Sequence, residues 1–249
     1  MVRLFRPSRS LPLSSCRRIR PTGGTTRAMR VLVDGVDMAG KTTLVEALVA
    51  ELEGRGRPAV RHRGMLCPHH PLAWALRGLS QARQPDSWWT TTAYVFGGFL
   101  LDSLLVRVDP PRPRNKVIVQ DAYGDRMVAF GMAGGPYLAA ALILRWPRLL
   151  APFDLAVYLH ASPEARARRL LQGRGHIDVR DERTVKDTKF TERFHAFHVH
   201  GVGRRHRRLL VLDSSKRAPD DMAREIADLL LNGPRQQGPE RQSTLRGQS

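Results

Sequence analysis

Short continuous apolar runs alternate along this chain with stretches of helical spacing. Arg30-Val-Leu-Val-Asp34 is the first run, and Gly35-Val-Asp-Met-Ala-Gly-Lys-Thr-Thr43 follows it directly. Leu44, Leu48 and Leu52 then share one helical face, which predicts an amphipathic helix ending near Gly54. Pro58–Arg63 predicts a second strand. His70–Arg83 and Trp89–Val108 predict helices, the second apolar on nearly every side and therefore buried. Asp109–Arg114 is a proline-rich turn. Lys116-Val-Ile-Val-Gln-Asp121 and Asp154-Leu-Ala-Val-Tyr-Leu-His160 are apolar runs of the kind buried on both faces of parallel sheets. Ser162 has the chemistry of an N-cap, with Pro163 at the first helical position and Ala165–Gln172 behind it. Arg208–Asp213 predicts the last strand and Ala218–Leu231 the last helix, before a polar tail. Strands alternating with helices predict an α/β fold around a parallel sheet, without internal repeats.

At 249 residues the default is a single domain, assigned here to 29–232, with polar extensions at 1–28 and 233–249. No apolar run approaches the roughly 18–20 residues of a membrane span. The best candidate, Ala139–Leu150, is broken by Arg145 and Pro147. Cys16 and Cys67 cannot define a disulfide framework, and a reducing, cytoplasmic setting fits. The net charge of +18 raises nucleic acid as a partner. Its distribution argues against a dedicated role of that kind: residues 1–28 hold seven Arg and no acid, so much of the charge lies outside the domain. Arg also far outnumbers Lys, and Asn occurs only at Asn115 and Asn232, a bias that codon composition can produce. Residues 1–28 have three readings: a disordered extension, an organelle transit peptide, or a start assigned too early. The third is favoured, because Met29 stands directly before the first strand.

Chemistry enters with Gly35-x4-Gly40-Lys41-Thr42, which satisfies G-x-x-x-x-G-K-[ST]. Glycines at both ends let the amides of Val36, Asp37, Met38 and Ala39 turn inward around phosphate oxygens. Lys41 supplies a cation for the β- and γ-phosphates, and the Thr42 hydroxyl can ligate Mg²⁺. The helix behind Lys41, Thr42 and Thr43 points its positive end at the anion. ATP and Mg²⁺ are the cofactors this implies. In open α/β sheets ligands sit beyond the carboxyl ends of the strands. Asp121 ends its strand there and becomes the candidate for organising Mg²⁺ or orienting the acceptor. Asp154 begins its strand and is structural. Asp37, inside the loop, is either a turn-forming Asx residue or a contact to the acceptor.

On these residues the chain resembles the thymidylate kinase family of nucleoside monophosphate kinases, over roughly residues 29–231. Family members carry a loop like Glu-Gly-x-Asp-Gly-x-Gly-Lys-Thr-Thr; here it is Asp34-Gly-Val-Asp37-Met-Ala-Gly40-Lys-Thr-Thr43. Phe153–Leu159, the helix after Ser162, and Gln172–Asp178 also look like the family's fourth strand, its helix and the start of its mobile lid. The resemblance implies a P-loop NTPase three-layer sandwich with a five-stranded parallel sheet and a lid near 173–189. It implies phosphoryl transfer from ATP to a nucleoside monophosphate, dTMP first, by a protein often dimeric. Arg77 and Tyr123 would lie on the acceptor side, and a lid arginine, Arg174 by its place between two glycines, would neutralise the moving phosphoryl group.

The departures concern the acceptor. The family's Asp-Arg-Tyr is here Asp121-Ala122-Tyr123, so the phosphate-gripping Arg is missing. The family's Ser-x-x-Ala-Tyr-Gln is Arg126-Met-Val-Ala129-Phe130-Gly131. Arg126 can replace the missing cation, and Phe130 keeps an aromatic face, but Gly131 offers a base no side chain. A nucleoside or other small-molecule kinase, and a nucleotide-binding regulatory protein with little catalysis, remain as rivals.

Overall fold

The computed structural model describes residues 28–82, 87–113, 115–135, 137–172 and 185–232. Five strands form one parallel sheet in the order β2-β3-β1-β4-β5, with β1 at Arg30–Gly35, β2 at Ala59–Arg63, β3 at Val117–Asp121, β4 at Leu155–His160 and β5 at Leu209–Asp213. The register aligns Val31 with Val119 on one side and Leu155 on the other. Ala59 pairs with Val117, and Ala156 with Leu209. All five predicted strands are present within a residue or two of their expected ends.

Both faces of the sheet are buried along the central strands β1, β3 and β4, which is why these carry apolar runs instead of alternation. Val31, Val33, Val157 and Leu159 point into one core, with Leu44, Leu48 and Leu52 of α1 (Lys41–Gly54) and Ile226 of α8 (Pro219–Leu231). Leu32, Ala156 and Tyr158 point into the other, against Val95 and Phe99 of α3 (Trp88–Val108). The result is three layers, helices on either side of the sheet. The remaining helices are α2 (Ala73–Ala82), α4 (Gly124–Gly134), α5 (Leu138–Arg145), α6 (Pro163–Gln172) and α7 (Thr188–Ala196). Helices α4, α5 and α7 were not among the predicted elements. In α4 the reason is composition, since Gly124, Gly131 and Gly134 lower helix propensity and only tertiary packing offsets that.

Helix α3 corrects a further expectation. Its 21 residues are long and apolar enough, by length and composition, to cross a membrane. In this fold one face is occupied: Thr90, Thr91, Val95, Phe99, Asp102, Ser103 and Val106 are buried. Asp102 accepts hydrogen bonds from the Leu66 and Cys67 amides at 3.0 and 2.7 Å and from the Tyr123 hydroxyl. The helix also departs from α geometry, with π winding from Ala93 to Leu100.

Candidate phosphate-binding site

The segment after β1 turns sharply and enters α1, and its backbone explains the glycines. At Gly35, φ is +146°, and a Cβ would stand 2.2 Å from the Leu159 carbonyl oxygen on β4. Only glycine allows that approach. Gly40 caps α1 in the left-handed region with φ +87°, and Met38 shares that region at φ +61°. Val36 and Ala39 drop their side chains fully into the core. They anchor the loop from below, while Thr43 is exposed on the first turn of α1.

Lys41 curls back over this loop. Its Nζ donates to the carbonyls of Gly35 at 3.1 Å and Val36 at 2.9 Å and lies 3.7 Å from Asp37 Oδ1. Burial pushes the Lys41 ammonium below its usual pKa; Asp37 pulls it back up and Arg126 pushes it down further. A cation held at a helix N-terminus is part of the donor set that a polyphosphate can use.

Thr42 and Asp121 are in contact. The Thr42 hydroxyl donates to Asp121 Oδ2 at 3.2 Å, joining the first turn of α1 to the carboxyl end of β3. Among the described residues no cluster of three or more His, Cys, Asp or Glu could hold a metal by itself. Mg²⁺ does not need one. It binds hard oxygens, commonly one or two protein groups together with nucleotide phosphates. The Thr42 hydroxyl and the Asp121 carboxylate fit that requirement.

Asp37 holds an arginine. Arg126 Nη2 donates to Asp37 Oδ2 at 2.7 Å, and the guanidinium lies 5.3 Å from the centre of the Phe130 ring. Arg126 thus stands at the mouth of the loop, near Lys41. Asp34 sets this arrangement. Fully buried, it accepts from the Gly35 amide through one oxygen and from the Tyr123 and Arg126 amides through the other, at 2.8, 3.4 and 3.3 Å. One carboxylate therefore couples the loop to the N-terminus of α4. Ala122, where β3 leaves the sheet, has φ +61°, an unusual conformation for a residue with a Cβ.

Two sequence expectations are corrected. Tyr123 does not face an acceptor: it is a core residue, its hydroxyl on Asp102 and its ring edge-on to Phe99 and Phe153 at 4.9 and 5.4 Å. Burial, reinforced by Asp102, raises its phenol well above the usual value. Phe130 is mostly core as well, packed on Phe190 and Phe194, with Arg126 over one face. The basic run Arg204–Arg208 is not a wholly solvated turn, because it buries Arg205 and His206. Arg205 Nη2 donates to Asp125 Oδ2 at 2.6 Å, and the Tyr158 hydroxyl donates to the same carboxylate at 2.7 Å. Burial opposes ionisation of Asp125, but Arg205 and His206 outweigh it and hold the carboxyl well below its usual range.

Gly131 has a packing reason. A Cβ there would come within 2.8 Å of Thr91 Cγ2 on α3 and 2.9 Å of Ala140 Cβ on α5. Three helices cross at this point, so the position has no room for a base-reading side chain.

The loop has partners that the motif did not reveal. Arg169 on α6 donates to the Met38 carbonyl at 2.9 Å and, with its other nitrogen, to the Ser214 carbonyl at 2.6 Å. Ser214 Oγ in turn donates to Ala39 O at 2.8 Å. This clasp ties the loop to the end of β5. Arg61 on β2 donates to Asp121 Oδ2 at 2.7 Å and to Glu46 Oε1 at 2.6 Å. Arg77 is exposed on α2 and donates to Ala73 O one turn back. Arg174 and most of the expected lid, 173–184, lie outside the described residues. Comparison of the chain with protein-family models and with characterised proteins returned no match, so its function is argued from this geometry.

Proposed function

We propose that this protein is a P-loop phosphotransferase that moves the γ-phosphoryl group of ATP to a nucleoside monophosphate, with dTMP the first acceptor to test. The observation that carries the reading is the convergence at one strand-end of Lys41, Thr42 on Asp121, and Arg126 on Asp37. These are the parts that phosphoryl transfer needs: a cradle, a place for Mg²⁺ and cations for the charge that moves.

In this reading the loop amides and Lys41 bind the β- and γ-phosphates, exchanging the Gly35 and Val36 carbonyls for phosphate oxygens. Thr42 and Asp121 hold Mg²⁺, which when bound neutralises phosphate charge. Arg126 moves from Asp37 to the acceptor phosphate and supplies the grip that Ala122 cannot. Arg169 keeps the loop closed from outside. A lid arginine, Arg174, completes the neutralisation. No strong base is required, because a phosphate acceptor is already an anion.

A second reading, transfer to an uncharged hydroxyl acceptor, draws on Ala122 and on the filled space around Gly131. A coupled ADP-release assay over nucleotides and nucleosides separates the two. Turnover with dTMP or another monophosphate is expected, and turnover confined to nucleosides would favour the second reading. Lys41→Ala should lower turnover at least about a hundredfold, the scale of losing a charged phosphate contact in the transition state. An unchanged rate would refute the role of the loop, whereas tight ATP binding without transfer to any acceptor would favour a nucleotide-binding regulatory protein with little catalysis.

A further inference from the structure

Arg61 is the one basic residue described on the carboxylate that would hold Mg²⁺, and the phosphate-loop motif says nothing of it. It comes from β2, two strands from the loop, and aligns with Val119 on β3. Its guanidinium spans two carboxylates, Nη2 on Asp121 Oδ2 at 2.7 Å and Nη1 on Glu46 Oε1 at 2.6 Å. Asp121 Oδ2 is also the oxygen that accepts from Thr42 at 3.2 Å. Arg61 therefore sits on the atom that joins the two metal-holding residues. Asp121 is buried, whereas Arg61 keeps about a third of its side chain in solvent and Glu46 more than half. The guanidinium can shift towards Glu46 without entering the core.

We infer that Arg61 is a built-in competitor for the metal at Asp121, which keeps Mg²⁺ out of the site until it arrives with nucleotide phosphates. The inference rests on the proposed reading of the loop as a nucleotide site. A single positive charge within a few ångströms of a divalent cation opposes its binding, and it also occupies an oxygen that the metal or its water would use. Nucleotide phosphates reverse the balance, because they bring enough negative charge to outbid the guanidinium for the ion. Glu46 then receives the displaced Arg61 and keeps that arginine paired. Arg61 is a positioning and selectivity residue here; the residues that touch nucleotide are those of the loop.

The test measures metal binding directly, with Mn²⁺ as a paramagnetic stand-in for Mg²⁺ followed by electron paramagnetic resonance, with and without ADP. In the wild-type chain Mn²⁺ should bind only in the presence of ADP. Arg61→Gln should tighten Mn²⁺ in the ADP complex about three- to tenfold and make binding without nucleotide measurable. Damage to the fold cannot produce that gain. Arg61→Lys, which keeps the charge, should behave like wild type. Glu46→Gln removes the second partner, leaves Arg61 wholly on Asp121, and should weaken Mn²⁺ about two- to threefold. Unchanged or weaker Mn²⁺ binding in Arg61→Gln, with ADP binding in chelator intact, would overturn the inference while leaving the loop's role standing. Failure of the wild-type chain to bind ADP with or without Mn²⁺ would overturn both.

Discussion

Gly131→Ala adds one carbon where α3, α4 and α5 cross. The new Cβ would lie 2.8 Å from Thr91 Cγ2 and 2.9 Å from Ala140 Cβ, closer than carbon atoms pack. Neither neighbour is the end of a flexible chain: Thr91 is stiff at χ1 and buried, and Ala140 ends at the clashing atom. The backbones must separate, and overpacking of this kind costs about 1–3 kcal/mol. Alanine favours the helix over glycine by about 0.5–1 kcal/mol, so the net loss is about 1–2 kcal/mol. For a chain of this size that lowers the melting temperature by about 2–8 °C. Gly131→Gln, with a longer side chain in the same space, should lose more. Chemical and thermal unfolding measure both. The decisive control is Thr91→Ser, which removes the methyl nearest the new Cβ. In the Gly131→Ala background it should recover at least about 0.5 kcal/mol relative to its effect in wild type. A Gly131→Ala protein as stable as wild type, or additive effects in the pair, would refute the tight crossing. It would also reopen position 131 as a place to read a base.

Other outcomes follow from the same contacts. Tyr123→Phe removes the hydroxyl on Asp102 but leaves that carboxylate its two backbone donors. It should cost about 1–2 kcal/mol of stability and leave the acceptor KM unchanged; a KM shift without loss of stability would return Tyr123 to the acceptor site. His195 packs against Phe194 and His160, and burial, aided by His198 and His160, lowers its pKa to about 3 from 6.5. Between those values the unfolded chain binds a proton that the folded chain refuses, so stability rises with pH across that window and is lost as pH falls below 6.5. The slope from this group is at most about 1.4 kcal/mol per pH unit, less for the part of the ring that meets solvent. His195→Gln should flatten the fall in melting temperature between pH 6.5 and 5; an unchanged slope would assign it to other groups.

Local pattern determined much of this protein. The strands are visible because a doubly covered parallel sheet demands unbroken apolar runs such as Val117–Val119 and Leu155–Leu159. The loop is visible because Gly35, Gly40, Lys41 and Thr42 fall within eight consecutive residues, where a turn and a helix N-terminus are matters of local conformation. Asp121 could be placed at the site because a strand's end lies on a known side of the sheet. Contacts across the chain were decided by the tertiary structure alone. Arg61 meets Asp121 across 60 positions, Arg126 meets Asp37 across 89, and Arg169 reaches the Met38 carbonyl across 131. A charged residue carries no mark of whether solvent or a buried carboxylate will neutralise it, so Arg205 in a basic run looks exposed and is not. Gly131 and Tyr123 teach the same thing for uncharged positions. A phenol suits a substrate site as well as a core, a glycine has no side chain to tell the two apart, and only the elements that arrive around them decide which.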